Sequence, residues 1–202
     1  MSPPVTIKTI TLICILTGKM KVEETTLQGC FLIHDTFFED ERGYFFESFN
    51  AQQFLKQTGV EINFVQDNQS RSSKGTLRGL HFQTGDSAQA KLVRVLRGEV
   101  LDVAVDLRRS SPTYKQHYAV RLSETSRTQL FIPRGFAHGF VVLSDMADFF
   151  YKCDNYYNKL ADGGIIYSDP QLNIDWQMEE TNLIISSKDQ QLPLLSSFDT
   201  NF

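Results

Sequence analysis

The chain has 202 residues, 41% of them hydrophobic and 22% charged, with a formal net charge of −4. That length suits one large domain with a sizeable core. The mildly acidic balance excludes a nucleic-acid binder held by a basic surface, so an anionic ligand must be met by a few local cations.

At the N-terminus, Lys8 precedes a short apolar run, residues 10–16, that superficially resembles a signal peptide. It is too short to span a bilayer, and no alanine before Ala51 makes a typical cleavage site. Met20-Lys21-Val22-Glu23 reads as an ordinary domain start, so residues 1–19 are expected to be an extension to a single domain over 20–202; the alternative is an extra edge strand. Cys14, Cys30 and Cys153 are odd in number and widely spaced. They form neither a metal motif nor a disulfide framework, which fits a reducing cytoplasm.

Residues 31–34 and 43–49 read as strands joined through the acidic turn Glu39-Asp40-Glu41-Arg42-Gly43. Asn50 and Gln53 form a capping-box pattern ahead of a short helix with Phe54 and Leu55 on its apolar face, stopped at Gly59. Strands then follow at short spacing: 62–66, 76–82, 91–96, 100–107, 117–122, 128–132, 139–143 and 148–153. Turn residues such as Arg97-Gly98 and Pro133-Arg134-Gly135 separate several of them. Many short strands with sixteen Phe and seven Tyr predict an antiparallel sandwich or barrel with aromatic-lined pockets. The tail over 169–202 carries the single Trp and is expected to pack against the barrel.

The chemistry concentrates in Leu77-Arg78-Gly79-Leu80-His81-Phe82-Gln83 and the Lys91 that follows. Strand alternation points Gly79, His81 and Gln83 one way and Leu80 and Phe82 the other, and gives Lys91, Val93 and Val95 a shared face. An imidazole titrates at ~6.5, suitable for a base near neutrality. An ammonium in the same cavity suits a substrate that acquires negative charge. Alternation puts Tyr151 with Phe149 and Cys153, where a phenol facing the histidine can deliver a proton from the other side. Each residue alone has a plainer reading as a satisfied core or surface group; the shared context raises them.

Ile132-Pro133-Arg134-Gly135-Phe136-Ala137-His138-Gly139-Phe140 contains Pro-x-Gly-x-x-His, which resembles the second motif of cupin barrels, whose histidine usually binds metal. The companion His-x-His reads His81-Phe82-Gln83 here. Two histidines without a clear third ligand argue against a metal, so the sequence reads as an all-β, cupin-type antiparallel jelly-roll barrel with a few short helices, its ligand positions turned to other uses.

Several stretches closely resemble dTDP-4-dehydrorhamnose 3,5-epimerases. They are Phe38-Glu39-Asp40-Glu41-Arg42-Gly43-Tyr44-Phe45-Phe46-Glu47, Val65-Gln66-Asp67-Asn68-Gln69-Ser70, Leu77 to Gln83, Lys91 to Val95, Gly98 to Asp106, Ile132 to Phe140 and Tyr151-Lys152. The likeness keeps its order and spacing from about Met20 to Leu195. It implies a cofactor-free and metal-free homodimer that inverts C3 and C5 of dTDP-4-dehydro-6-deoxy-D-glucose, a soluble enzyme that binds a nucleotide sugar rather than nucleic acid or membrane. By the same resemblance His81 is the base, oriented by Asp189; Lys91 stabilises the enolate oxygen; Tyr151 is the acid. Arg42, Glu47, Gln66, Asp67, Asn68, Arg78, His138, Asp162 and Lys188 match substrate contacts. Asp162 stands where a Glu is more familiar. The alternatives are a single-centre epimerase of another dTDP-deoxysugar, a non-catalytic nucleotide-sugar-binding cupin, and a metal-dependent cupin oxygenase.

Overall fold

The computed structural model describes residues 20–198 and residue 202; the expectation for residues 1–19 lies outside them. In chain order the strands are β1 (Lys21–Glu24), β2 (Phe31–His34), β3 (Phe37–Asp40), β4 (Gly43–Phe46), β5 (Gln66–Ser73), β6 (Thr76–Gln83), β7 (Lys91–Arg97), β8 (Glu99–Asp106), β9 (His117–Ser123), β10 (Thr128–Ile132), β11 (Phe136–Val142), β12 (Met146–Cys153), β13 (Asp162–Gly164) and β14 (Ile184–Ile185). Helix α1 (Ala51–Thr58) precedes β5, and a single helical turn, α2 (Ser187–Gln190), follows β14. One sheet runs β1-β2-β10-β7-β12-β5 and the other β13-β6-β11-β8-β9, with β14 parallel to β6. The sheets make a cupin-type jelly roll. Among the described residues no helix is long and apolar enough to cross a membrane.

The barrel interior is filled by alternate residues of both sheets, among them Val93, Val95, Val100, Ala104, Leu130, Phe140 and Phe149. Strand β8 is buried on both faces. Its other set, Leu101, Val103 and Val105, packs with Leu77, Leu80 and Phe82 under Ile165, Trp176 and Leu195. The C-terminal segment therefore covers the outer face of the second sheet, as the tail's apolar residues predict. A third cluster seats Phe54 of α1 against Phe31, Leu92 and Phe131 on the outside of the first sheet. The helix ends are as expected: the Asn50 side chain accepts the Gln53 N–H at 3.1 Å, and Gly59 closes the helix at φ 72°. The Gln53 side chain does not complete the box; it donates to Glu47 instead.

Three strand expectations need correction. Residues 62–65 form no strand: Ile62 and Phe64 pack irregularly beside Phe54. The strand there is Gln66–Ser73, whose sequence is almost wholly polar. One of its faces lines the cavity between the sheets and the other, with Asp67 and Gln69, lines the cavity beside the β3–β4 hairpin, so it lacks the apolar alternation that marks a strand. Residues 37–46 form a separate hairpin of β3 and β4, which ends the predicted 43–49 strand at Phe46. The strand predicted over 139–143 begins earlier, at Phe136.

A fourth correction concerns faces along β6. His138 pairs with His81 and Phe140 with Arg78, so one residue on β11 opposes two on β6. This β-bulge at Gly79-Leu80 resets the alternation. Arg78 and His81, three apart, both reach the cavity, while Leu77, Leu80 and Phe82 stay in the core. Gly79 has φ +134°, and a Cβ there would lie 2.5 Å from the Gly139 Cα. Two glycines thus let the backbones of β6 and β11 approach at the point where the cavity needs its bulge.

Candidate active site

A cavity of about 650 Å³ opens between the two sheets, lined by Asn68 and Ser70 of β5, Arg78 and His81 of β6, Lys91 of β7, His138 of β11 and Tyr151 of β12. Lys188 and Asp189 of α2 close one side. A smaller chamber of about 260 Å³ shares His81, Lys91 and Tyr151 with it and continues past Gln66, Gln83, Cys153 and Asp162. The imidazole, the ammonium and the phenol therefore stand where the two chambers meet. A larger cavity, about 1010 Å³, lies elsewhere, between the β3–β4 hairpin and the outer face of the first sheet.

His81 Nε2 lies 2.9 Å from Asp189 Oδ1, and the other carboxylate oxygen accepts the Gly79 N–H at 3.2 Å. Asp189 is 4% exposed. Burial pushes its carboxyl up, but the hydrogen bonds from His81, Gly79 and Ser186, with the imidazole charge, outweigh burial and hold it below the usual carboxylate range. A carboxylate at Nε2 places the hydrogen on that nitrogen and leaves Nδ1 with its lone pair free to take a proton.

Lys91 is half-buried, its Nζ 5.8 Å from the centre of the Tyr151 ring. Burial lowers its pKa below the ordinary lysine value, with Asp102 and Asp162 pulling the other way. Burial raises the Tyr151 phenol above its ordinary value, so it stays protonated to higher pH. The arrangement supplies a base, an oxyanion partner and a neutral proton donor around one space.

His138 sits on the cavity floor, 7% exposed, its Nε2 2.9 Å from Asp102 Oδ2. Burial lowers its pKa, more than Asp102 restores it, so the imidazole is neutral near pH 7. Asp102 is fully buried, and its second oxygen has no hydrogen-bond partner among the described residues. Sequence reasoning missed Asp102. Its signal was a carboxylate on the inward parity of Val100 and Ala104 in an otherwise apolar strand.

Gln66, Asn68, Arg78, His138, Asp162 and Lys188 all line one chamber or the other. Lys188 Nζ pairs with Asp162 Oδ2 at 2.5 Å across the mouth. Arg42, Glu47 and Asp67 are not brought there. Strand alternation turns Asp67 to the opposite face of β5 from Asn68, where it pairs with Lys152 at 2.8 Å. Arg42 is 85% exposed at the hairpin tip, bonded to Asp40, and the exposed Glu47 follows the same hairpin.

Residues 24–197 match the family model described as dTDP-4-dehydrorhamnose 3,5-epimerase. The chain belongs to that family. Across 176 residues it is 48% identical to the dTDP-4-dehydrorhamnose 3,5-epimerase of Salmonella typhimurium, covering 87% of this chain and 96% of that one. The crystal structure of dTDP-6-deoxy-D-glucose-3,5-epimerase from Legionella pneumophila, in complex with dTDP-4-keto-L-rhamnose, superposes with a TM-score of 0.85 at 49% identity, over 89% of this chain and 95% of that chain. A 3′-monoepimerase from Streptomyces bikiniensis in complex with dTDP-quinovose shares the fold at TM-score 0.79 and 28% identity, over 86% and 87% of the two chains. The likeness to the 3,5-epimerases is therefore much the stronger of the two.

Proposed function

We propose that the chain epimerises dTDP-4-dehydro-6-deoxy-D-glucose at C3 and C5 to dTDP-4-dehydro-L-rhamnose. The observation that carries this reading is the meeting of the His81–Asp189 pair, Lys91 and Tyr151 at the junction of one cavity. A hydrogen on the carbon beside a ketone is acidic because the electron pair it leaves delocalises onto oxygen. His81 Nδ1 takes that proton, and the Lys91 ammonium stabilises the enolate oxygen, whose charge develops only as the C–H bond breaks. Tyr151 returns a proton to the opposite face, inverting the centre. Each carbon loses one proton and gains one, with no net redox change.

Asn68, Arg78, His138, Asp162, Lys188 and Gln66 are proposed to hold the nucleotide sugar, with Arg78 suited to a diphosphate by its forked donors. Arg42 and Glu47 join them only if supplied by a second copy, so we propose a homodimer in which the β3–β4 hairpin reaches the other subunit's cavity. The exposed Phe38, Tyr44 and Phe45 on that hairpin support this. Mixing His81→Asn chains with Arg42→Ala chains is expected to regain activity that neither has alone; no regain overturns the shared site. The cytoplasm is the proposed compartment, where the buried Cys30 and Cys153 remain thiols.

Turnover of the dTDP-keto sugar in D₂O tests the reaction itself. One deuteron at each of C3 and C5 is the expected result. A deuteron at one centre alone would support the single-centre reading, and binding without exchange a sensor. Tyr151→Phe is expected to keep exchange but lose inversion; normal turnover in that variant removes Tyr151 from the mechanism.

A further inference from the structure

Gln83 occupies the place where cupin barrels carry the second histidine of His-x-His, and the chemistry above gives it no part. It is buried, 5% exposed, at the end of β6, two residues from His81 and lining the smaller chamber. Both ends of its amide are used. Nε2 donates to Asp162 Oδ1 at 3.2 Å, and Oε1 accepts the Asn158 N–H at 2.8 Å.

These two bonds lie on a continuous path. Asp162 faces Gln83 in the β13–β6 ladder, and its other oxygen holds Lys188, the residue before Asp189. The loop over 154–161 leaves β12 three residues after Tyr151 and runs from the first sheet to β13 of the second. On the facing strand, Gln66 Oε1 accepts the Tyr157 N–H at 3.0 Å. Two glutamines, one from each sheet, thus bind successive N–H groups of the loop that links the acid's strand to the wall beside the base.

We propose that Gln83 is a positioning residue for sugar binding, acting through Asp162: its amide fixes the Asp162–Lys188 pair and anchors the loop that walls the smaller chamber. A neutral amide can donate to a carboxylate and accept from a backbone N–H at once, through its two separate terminal atoms. A methionine leaves the Asn158 N–H and one Asp162 oxygen unpaired. A glutamate places a second carboxylate against Asp162, and two carboxylates that close share a proton whose pKa is raised. Besides His81, Lys91 and Tyr151, the ionisable groups facing that chamber are Cys153, Tyr157, Asp162 and Lys188.

The inference rests on the epimerase reading, so wild-type turnover in D₂O is measured first; absence of exchange there sinks that reading rather than this one. Given an active wild type, Gln83→Met is expected to raise KM about 10-fold, with a smaller loss in kcat. In an Asp162→Ala background the same substitution should add less than it costs in the wild type, because the carboxylate it fixes is gone and only the Asn158 anchor is left to lose. Additive losses, or an unchanged KM, overturn the proposal. Gln83→Glu gives an independent readout where Gln83→Met does not fold. Protonated, its carboxyl can donate to Asp162 as the amide does, so its kcat/KM relative to wild type should be highest on the acid side and fall as the shared proton leaves. A ratio that is flat across pH overturns the proposal.

Discussion

Replacing His81 with Asn is expected to lower kcat by about 10²–10⁴-fold, the usual worth of a positioned base, and to abolish deuterium uptake at both C3 and C5. The asparagine amide extends only as far as the imidazole Nδ1, so the substitution removes the lone pair that Nδ1 presents together with the 2.9 Å bond between Nε2 and Asp189. A group that acts only as the C–H bond breaks lowers kcat and kcat/KM together and leaves KM nearly alone. Single-turnover kinetics with the dTDP-keto sugar check this. Retention of exchange in the His81→Asn protein would place the base elsewhere.

The second large effect is at Lys91. Lys91→Met should cost about 10²–10³-fold in kcat, the scale of losing one donor to a developing oxyanion. The sign of the pH dependence follows from the burial that lowers this lysine's pKa. Its active form is the ammonium, so kcat/KM declines as pH rises through a value below the ordinary lysine range. Tyr151 is shifted in the opposite direction, its phenol pushed above its ordinary value by burial, and therefore stays a competent acid past that point. The alkaline limb accordingly belongs to Lys91. Lys91→Arg keeps a charge that is not lost in this range and should move the limb upward, even though the larger head group lowers the rate. An unchanged limb would assign it to another group.

Strands and helix ends were legible where apolar runs stand between turn residues: β7, β8, β10 and β12 follow from their apolar content, and α1 from Asn50 and Gly59. The polar strand β5 was not, because neither of its faces enters the core. The bulge at Gly79 was also hidden. Alternation from Leu77 to Gln83 puts Arg78 on the core side, and only the close approach of Gly139 shows why the count slips by one.

The site divides in the same way. His81, Lys91 and Tyr151 announce themselves as polar groups at inward positions of apolar strands, and their spacing within the family resemblance suffices to name them. Asp102 carried the same signal unnoticed. Asp189 lies 108 residues from its histidine, in a single turn of helix delivered by the C-terminal segment. Gln83 and Asp162 become partners through a ladder between strands 79 positions apart. Arg42 and Glu47 stand exposed at the β3–β4 hairpin, away from the cavity that the resemblance assigns them to.

By itself, then, the order of residues determined most of the apolar strands, the ends of α1 and the three polar groups, His81, Lys91 and Tyr151, that share a cavity, since these are written in local periodicity and side-chain type. The three-dimensional packing alone decided how Asp189 meets His81, which face of β6 opens to the cavity and which loop is tied down. Those are contacts between distant segments, and their energies depend on where the backbone finally brings them together.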